Sequence, residues 1–239
     1  MRIQLDRNTF HCKHFKIWQH EDVFPVNTDA VLLAQFVIDS GSFSKVLEVG
    51  SGNGLISIAY GTFYSKSKIL SLDLDPNAVF CSQCNIKGND LRNISTLQID
   101  FRHFQSDQPY DLIFSNPPFF NSSLKSNAKR NRYSKYNDNL PLTDLLETAT
   151  RLLDEKGKLC LILPFDQLIV AEQYIKSSKM VVSRVIEIAP KNDIKTNRVL
   201  LELTKIDSTK RQERLIIREV DNSYTKQYRA YTKWFYLNF

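Results

Sequence analysis

Beyond residue 40, short runs rich in β-branched and apolar residues alternate with stretches of helical periodicity. A parallel sheet covered by helices on both faces satisfies that alternation. The pattern predicts strands over Lys45–Val49, Ile69–Leu74, Ser95–Ile99, Asp111–Ser115 and Lys158–Leu163, with two more at Val181–Ile188 and Arg198–Thr204. Between them lie helices with recognisable ends. Asp75-Pro76 opens one that Gly88 closes; Asn139-Leu140-Pro141 opens another, whose Leu145, Leu146, Ala149, Leu152 and Leu153 recur at helical spacing before Gly157. Asp166 is the expected cap of a third. Ahead of the first strand, Thr28 is the expected N-cap of a helix over Asp29–Ile38, apolar nearly all round and therefore buried. With 239 residues, 42% of them hydrophobic, the chain can bury a full core. The expected organisation is one α/β domain over residues 41–239, preceded by an N-terminal extension, residues 1–40, that packs on the site.

No apolar stretch approaches the roughly 18 residues of a membrane helix, and the first residues carry no signal-peptide core. A cytoplasmic protein with no membrane partner is expected. The four cysteines are too few for a disulfide scaffold. Cys81 and Cys84 fall on one face of a helix, and no second ligand pair exists, since His11, His14, His20 and His103 are scattered. Core packing without a metal is the expected role of the pair.

Net charge is +6, of which +5 falls in residues 124–136, through Lys125, Lys129, Arg130, Arg132 and Lys135. Another +3 lies in the last 16 residues, with seven aromatics. Concentrated cations beside aromatic rings are the footprint of a nucleic-acid contact, because phosphates need charge and unstacked bases need π-faces. Most of the tail's rings are expected to pack instead, since so much exposed aromatic surface would invite aggregation.

Glu48-Val49-Gly50-Ser51-Gly52-Asn53-Gly54 follows the first strand and opens the next helix. Backbone N–H groups there can approach a ligand closely, notably at Gly50 and Gly52. The dinucleotide fingerprint needs a further glycine where this chain has Leu55, which counts against NAD and FAD. Glu48 would repel a pyrophosphate but suits an ammonium group, and S-adenosylmethionine carries one. Asp73, at the end of the second strand, is the expected acceptor for ribose hydroxyls, with Asp75 a competitor better placed as a helix cap. Asp100, ending the third strand, could accept from an adenine amino group while Phe101 borders the ring. Three carboxylates thus stand at the carboxyl ends of three consecutive strands, where open α/β sheets bind ligands. Thr28, opening the helix that lies against this edge, is counted with the cofactor-binding residues.

At the end of the fourth strand stands Ser115-Asn116-Pro117-Pro118-Phe119-Phe120. It resembles the motif of methyltransferases that modify an amino nitrogen conjugated to a ring or carbonyl. The lone pair of such a nitrogen is delocalised, so acceptors for its N–H bonds must orient and activate it. The Asn116 side-chain oxygen and the Pro117 carbonyl are such acceptors, and proline stiffens the turn that aims them. Phe119 offers a face on which an extruded base can stack. Asn116 is expected to touch cofactor as well as substrate.

The run Phe10-His-Cys-Lys13-His-Phe15-Lys-Ile-Trp-Gln19-His-Glu-Asp22, then Val26-Asn-Thr28-Asp29-Ala-Val-Leu32-Leu33, is similar to the bacterial valine-tRNA (adenine-37-N6) methyltransferase family. With the glycine loop, Asp73, Asp100 and Asn116 to Phe119, the resemblance spans most of the chain. It implies a seven-stranded methyltransferase sheet with an antiparallel last strand, S-adenosylmethionine as cofactor, and the adenosine 3′ of the anticodon as substrate. The chain departs from the family at Phe119, where Tyr is commoner, and at Asn27, where Gly is expected. Lys125, Lys129, Arg130 and Arg132 would then hold phosphates of tRNA, and the protein is expected to act as a monomer. The rival readings are a protein-glutamine N5-methyltransferase, a DNA adenine methyltransferase and a catalytically inactive RNA-binding relative. The first normally carries a larger helical domain ahead of the sheet, the second an added recognition domain.

Overall fold

A computed structural model describes residues 8–117 and 140–238. The elements run β1 (Thr9–His11), β2 (Lys16–Trp18), α1 (Thr28–Asp39), β3 (Lys45–Val49), α2 (Leu55–Phe63), β4 (Lys68–Asp73), α3 (Pro76–Gly88), β5 (Ile94–Gln98) and β6 (Tyr110–Ser115). They continue with α4 (Leu142–Leu152), β7 (Leu153–Pro164), α5 (Leu168–Ser177), β8 (Val181–Lys191), β9 (Arg198–Thr204), β10 (Arg211–Arg218) and α6 (Lys226–Thr232). The main sheet has the order β10-β8-β9-β7-β6-β3-β4-β5, and β1 pairs with β2 in a separate hairpin. Only β9 runs antiparallel, between β7 and β8. All seven predicted strands are present, and β10 adds an eighth, parallel to β8.

The sheet is buried on both faces because its strands carry apolar residues at odd and even positions alike. Val46, Leu112, Phe114, Cys160, Ile162 and Leu200 face one layer, with α1 and α2. Leu47, Ile113, Leu159, Leu161, Val199 and Leu201 face the other, with α4. Each large side chain buried this way contributes roughly 1.5–3 kcal/mol.

Local chemistry moves several boundaries. The N-cap of α1 is Asn27, not Thr28: its extended backbone brings Oδ1 to the Ala30 N–H at 2.8 Å, leaving Thr28 as the exposed first helical residue. Asp166 caps nothing, since it lies inside a 3₁₀ turn, Phe165–Gln167, and α5 starts after Gln167 without a side-chain cap. Gly157 does not close a helix. Helix α4 ends at Leu152, and Gly157 lies within β7, where a Cβ would come within 2.9 Å of the Tyr110 carbonyl.

The tail packs. Tyr228 and Phe235 are fully buried, with Tyr224, Tyr231, Trp234 and Tyr236 against the same core. Trp234 stacks on His14 at 4.8 Å, Phe235 meets Phe15 edge-on, and Lys13 N–H donates to the Phe235 carbonyl. The N-terminal hairpin and the C-terminal tail therefore hold each other.

Candidate active site

The glycine loop is pinned to the neighbouring strand before it reaches any ligand. Gly50 N–H and Ser51 N–H both donate to the Leu72 carbonyl at 2.9 Å, and Gly52 N–H donates to Asp73 Oδ2 at 2.9 Å. Two kinds of glycine serve here. Gly54, at φ +81°, caps α2 so close to α3 that a Cβ would stand 3.1 Å from that of Ser82. Gly50 and Gly52 also have positive φ, yet a Cβ on either would meet no protein atom within 4 Å. They leave a cradle free of side chains at the sheet's carboxyl edge, but the N–H groups of Gly50 and Gly52 are already bonded to Leu72 and Asp73, so the expected donation to a ligand does not come from them.

Asp73 is buried, and each carboxylate oxygen takes one backbone amide at 2.9 Å, Oδ2 that of Gly52 and Oδ1 that of Asp75, with acceptor capacity left on both. Burial raises its carboxyl above the ordinary value. Asp75 caps α3 by accepting from Asn77 N–H. Glu48 lies beneath the loop. It is 1% exposed, and its Oε2 accepts from Ser57 of α2 at 2.5 Å and from Ser71 of β4. Its carboxyl is pushed up to about 7, chiefly by burial and in smaller part by the nearby Asp73, with the two serine hydroxyls opposing the shift. Its carboxyl thus braces the loop from inside, with both hydroxyls on Oε2.

Asp100 follows β5 and is tied to the site through Ile99, whose N–H donates to the Asp73 carbonyl at 3.0 Å. Its carboxylate pairs with the Arg102 guanidinium at 2.5 Å, and that bond holds it below the ordinary carboxylate range. Phe101 follows Asp100 directly, but its ring is buried. The 3₁₀ turn Phe101–His103 turns its ring inward, where it is 4% exposed among Leu72, Phe104 and the residues of α4. Asn116 and Pro117 are half-buried at the carboxyl end of β6. Ser115 Oγ donates to the Val49 carbonyl at 2.7 Å, fixing this turn beside the start of the glycine loop. Glu48, Gly50, Gly52, Asp73, Asp100, Asn116 and Pro117 therefore share one edge of the sheet.

Thr28 stands at the start of α1, which Asp29 ties to Arg198 at the start of β9 at 3.0 Å. Phe119, Lys125, Lys129, Arg130 and Arg132, with Asn139, lie outside the described residues. Sequence reasoning missed Ser57, Ser71, Asn53 and Asn85. Ser57 and Ser71 carried a signal, a serine between two apolar residues in the chain; Asn53, between two glycines, and Asn85 carried none of that kind. Cys81 is buried and its thiol is pushed up to about 11. Among the described residues no three His, Cys, Asp or Glu side chains group to hold a metal ion, and no helix is long and apolar enough to cross a membrane.

The family model for the methyltransferase small domain matches residues 14–169, which hold residues 14–40 of the N-terminal extension (the arm), the glycine loop and Asn116. A tRNA1(Val) (adenine(37)-N6)-methyltransferase of Parabacteroides distasonis is 30% identical over 95% of this chain and 97% of its own. One from Haemophilus influenzae is 31% identical over 96% of this chain and 99% of its own. The chain belongs to this methyltransferase family. Among solved structures, a predicted O-methyltransferase from Agrobacterium tumefaciens superposes with a TM-score of 0.64 at 17% identity, covering 86% of this chain and 96% of that one. That likeness shows the fold: a Rossmann-like methyltransferase sheet, here with β10 added at its edge. Relatives matched along their whole length leave the glutamine-modifying and DNA-modifying rivals without support.

Proposed function

We propose that this chain transfers a methyl group from S-adenosylmethionine to N6 of an adenosine in the anticodon loop of tRNA, position 37 of valine tRNA. The observation that carries this reading is the Asn116-Pro117 turn, bonded through Ser115 to the strand that feeds the glycine cradle. The donor set fits the cofactor. Gly50 and Gly52 offer a bare backbone, Asp73 a carboxylate for ribose hydroxyls, and Asp100 an acceptor for the adenine amino group once Arg102 yields. Glu48 keeps the loop in shape from below. S-adenosylmethionine supplies an electrophilic methyl when bound.

The chain's own residues do the rest. The Asn116 oxygen and the Pro117 carbonyl accept the two N–H bonds of the target nitrogen, turning its lone pair away from the ring. These acceptors are set before the substrate arrives, which is where their catalytic worth lies. Phe119 stacks the extruded base, and Lys125, Lys129, Arg130 and Arg132 hold flanking phosphates. Residues 1–40 serve as an extension of the catalytic domain, residues 41–239, with the described part, residues 8–40, packed on the site, in a cytoplasmic monomer.

The test is transfer of labelled methyl from S-adenosylmethionine to unmodified tRNA, DNA and a protein extract in parallel. Label in tRNA alone is expected. Label confined to protein would keep the fold and move the substrate to a side-chain amide.

A further inference from the structure

Helix α3 presents two asparagines one turn apart to strand β2. Trp18 N–H donates to Asn85 Oδ1 at 2.8 Å, and Asn85 Nδ2 donates back to the Trp18 carbonyl at 2.9 Å. Lys16 N–H donates to Asn89 Oδ1 at 3.0 Å, and Asn89 Nδ2 returns to the Lys16 carbonyl at 2.8 Å. A side-chain amide has the same donor and acceptor as a peptide group. The helix therefore serves as a second edge for β2, whose other edge pairs with β1 in the register Phe10↔Ile17.

The two rungs differ in what lies behind them. Asn89 is half-buried at the end of α3, and its second bond goes back to the Asn85 carbonyl of its own helix. Asn85 is 3% exposed, and its Nδ2 also donates to the Asn53 carbonyl in the glycine loop at 2.8 Å. Asn53 in turn sends Nδ2 to the Phe24 carbonyl of the arm at 3.2 Å and accepts from Leu55 N–H at the start of α2. One buried amide thus grips the arm and the loop together.

We propose that Asn85 is a positioning residue that couples the seating of the N-terminal arm to the shape of the cofactor loop. The inference rests on the reading of that loop as the S-adenosylmethionine site. Such coupling is reciprocal: a seated arm favours a bound cofactor, and a bound cofactor holds the arm more firmly. Asn89 secures the arm alone.

The experiment compares wild type, Asn85→Ala and Asn89→Ala for calorimetric binding of S-adenosylhomocysteine, with thermal stability measured alongside. Both variants lose stability. Asn85→Ala binds about tenfold more weakly, the size of one lost buried hydrogen bond, while Asn89→Ala stays within about twofold. Wild-type affinity in Asn85→Ala, or equal losses in the two variants, overturns the coupling. If Asn85→Ala does not fold, hydrogen exchange on wild type decides. Saturating S-adenosylhomocysteine slows exchange of the Trp18 amide at least about fivefold; an unchanged rate overturns the inference. Wild type that binds no S-adenosylhomocysteine overturns the reading of the loop instead, and the coupling falls with it.

Discussion

Asp73 receives one amide proton from the glycine loop and one from the start of α3, so a single carboxylate sets the distance between the cradle and the next strand. Replacing it with alanine weakens S-adenosylhomocysteine binding by at least about tenfold in calorimetry, the scale of one or two lost charge-assisted bonds. Unchanged affinity would pass the ribose to Asp75. Glu48 gives a pH signature. The folded protein holds this proton up to about pH 7, whereas the unfolded chain releases it near the ordinary value of 4.5. The group's contribution is therefore fully present below 4.5 and is lost as pH rises through 7, so this part of the stability falls across that interval. Urea unfolding at a series of pH values is expected to show the fall in wild type and a flatter profile in Glu48→Gln; an identical slope in both would remove Glu48 as its source. Asp73, Asp100 and Asn116 were legible in the sequence because strand ends were. The burial of the Phe101 ring was not legible, because its neighbour in the chain says nothing about which way a 3₁₀ turn faces. The inward engagement of Glu48 was hidden for a similar reason: Ser57 and Ser71 come from two other elements, and only folding brings them together.

At the level of elements, the seven strands of the methyltransferase sheet were visible because continuous apolar runs between turn signals mark strands buried on both faces. Strand β10 was not visible. Its first half, Arg211 to Arg214, is exposed and polar, as an edge strand is, and only its pairing with β8 makes it a strand. The edge is then closed by a side chain: Gln227 accepts from Ile216 N–H and donates to the Arg214 carbonyl at 2.6 Å. Gly157 was read as a helix stop because glycine commonly is one, whereas here it admits the Tyr110 backbone. Gly157→Ala must push against that carbonyl and Leu153, and a loss of about 1–3 kcal/mol is expected, as for other overpacked sites. A shift in the urea midpoint measures it; an unshifted midpoint would mean the β6–β7 junction adjusts freely.

Over the whole molecule, the N-terminal hairpin and the C-terminal tail converge on one aromatic cluster. Phe235→Ala empties a fully buried ring site and is expected to cost about 3–5 kcal/mol, read from urea unfolding; a loss below 1 kcal/mol would show that the clasp is not part of the core. The described rings of the tail are accordingly committed to packing, which leaves the concentrated positive charge of residues 124–136 as the expected grip on RNA. Neutralising Lys129, Arg130 and Arg132 together is expected to weaken tRNA binding and to reduce the slope of log affinity against log salt by about 2–3. An unaltered slope would make that segment a solvated surface. The chemistry itself is tested most directly by nucleoside mass spectrometry of tRNA incubated with S-adenosylmethionine and either wild type or Asn116→Ala. N6-methyladenosine is expected from wild type, with turnover about 10²-fold lower in the variant and cofactor binding retained. Equal turnover in the two proteins, or a methyl group on any other atom, would contradict the role of the Asn116 turn.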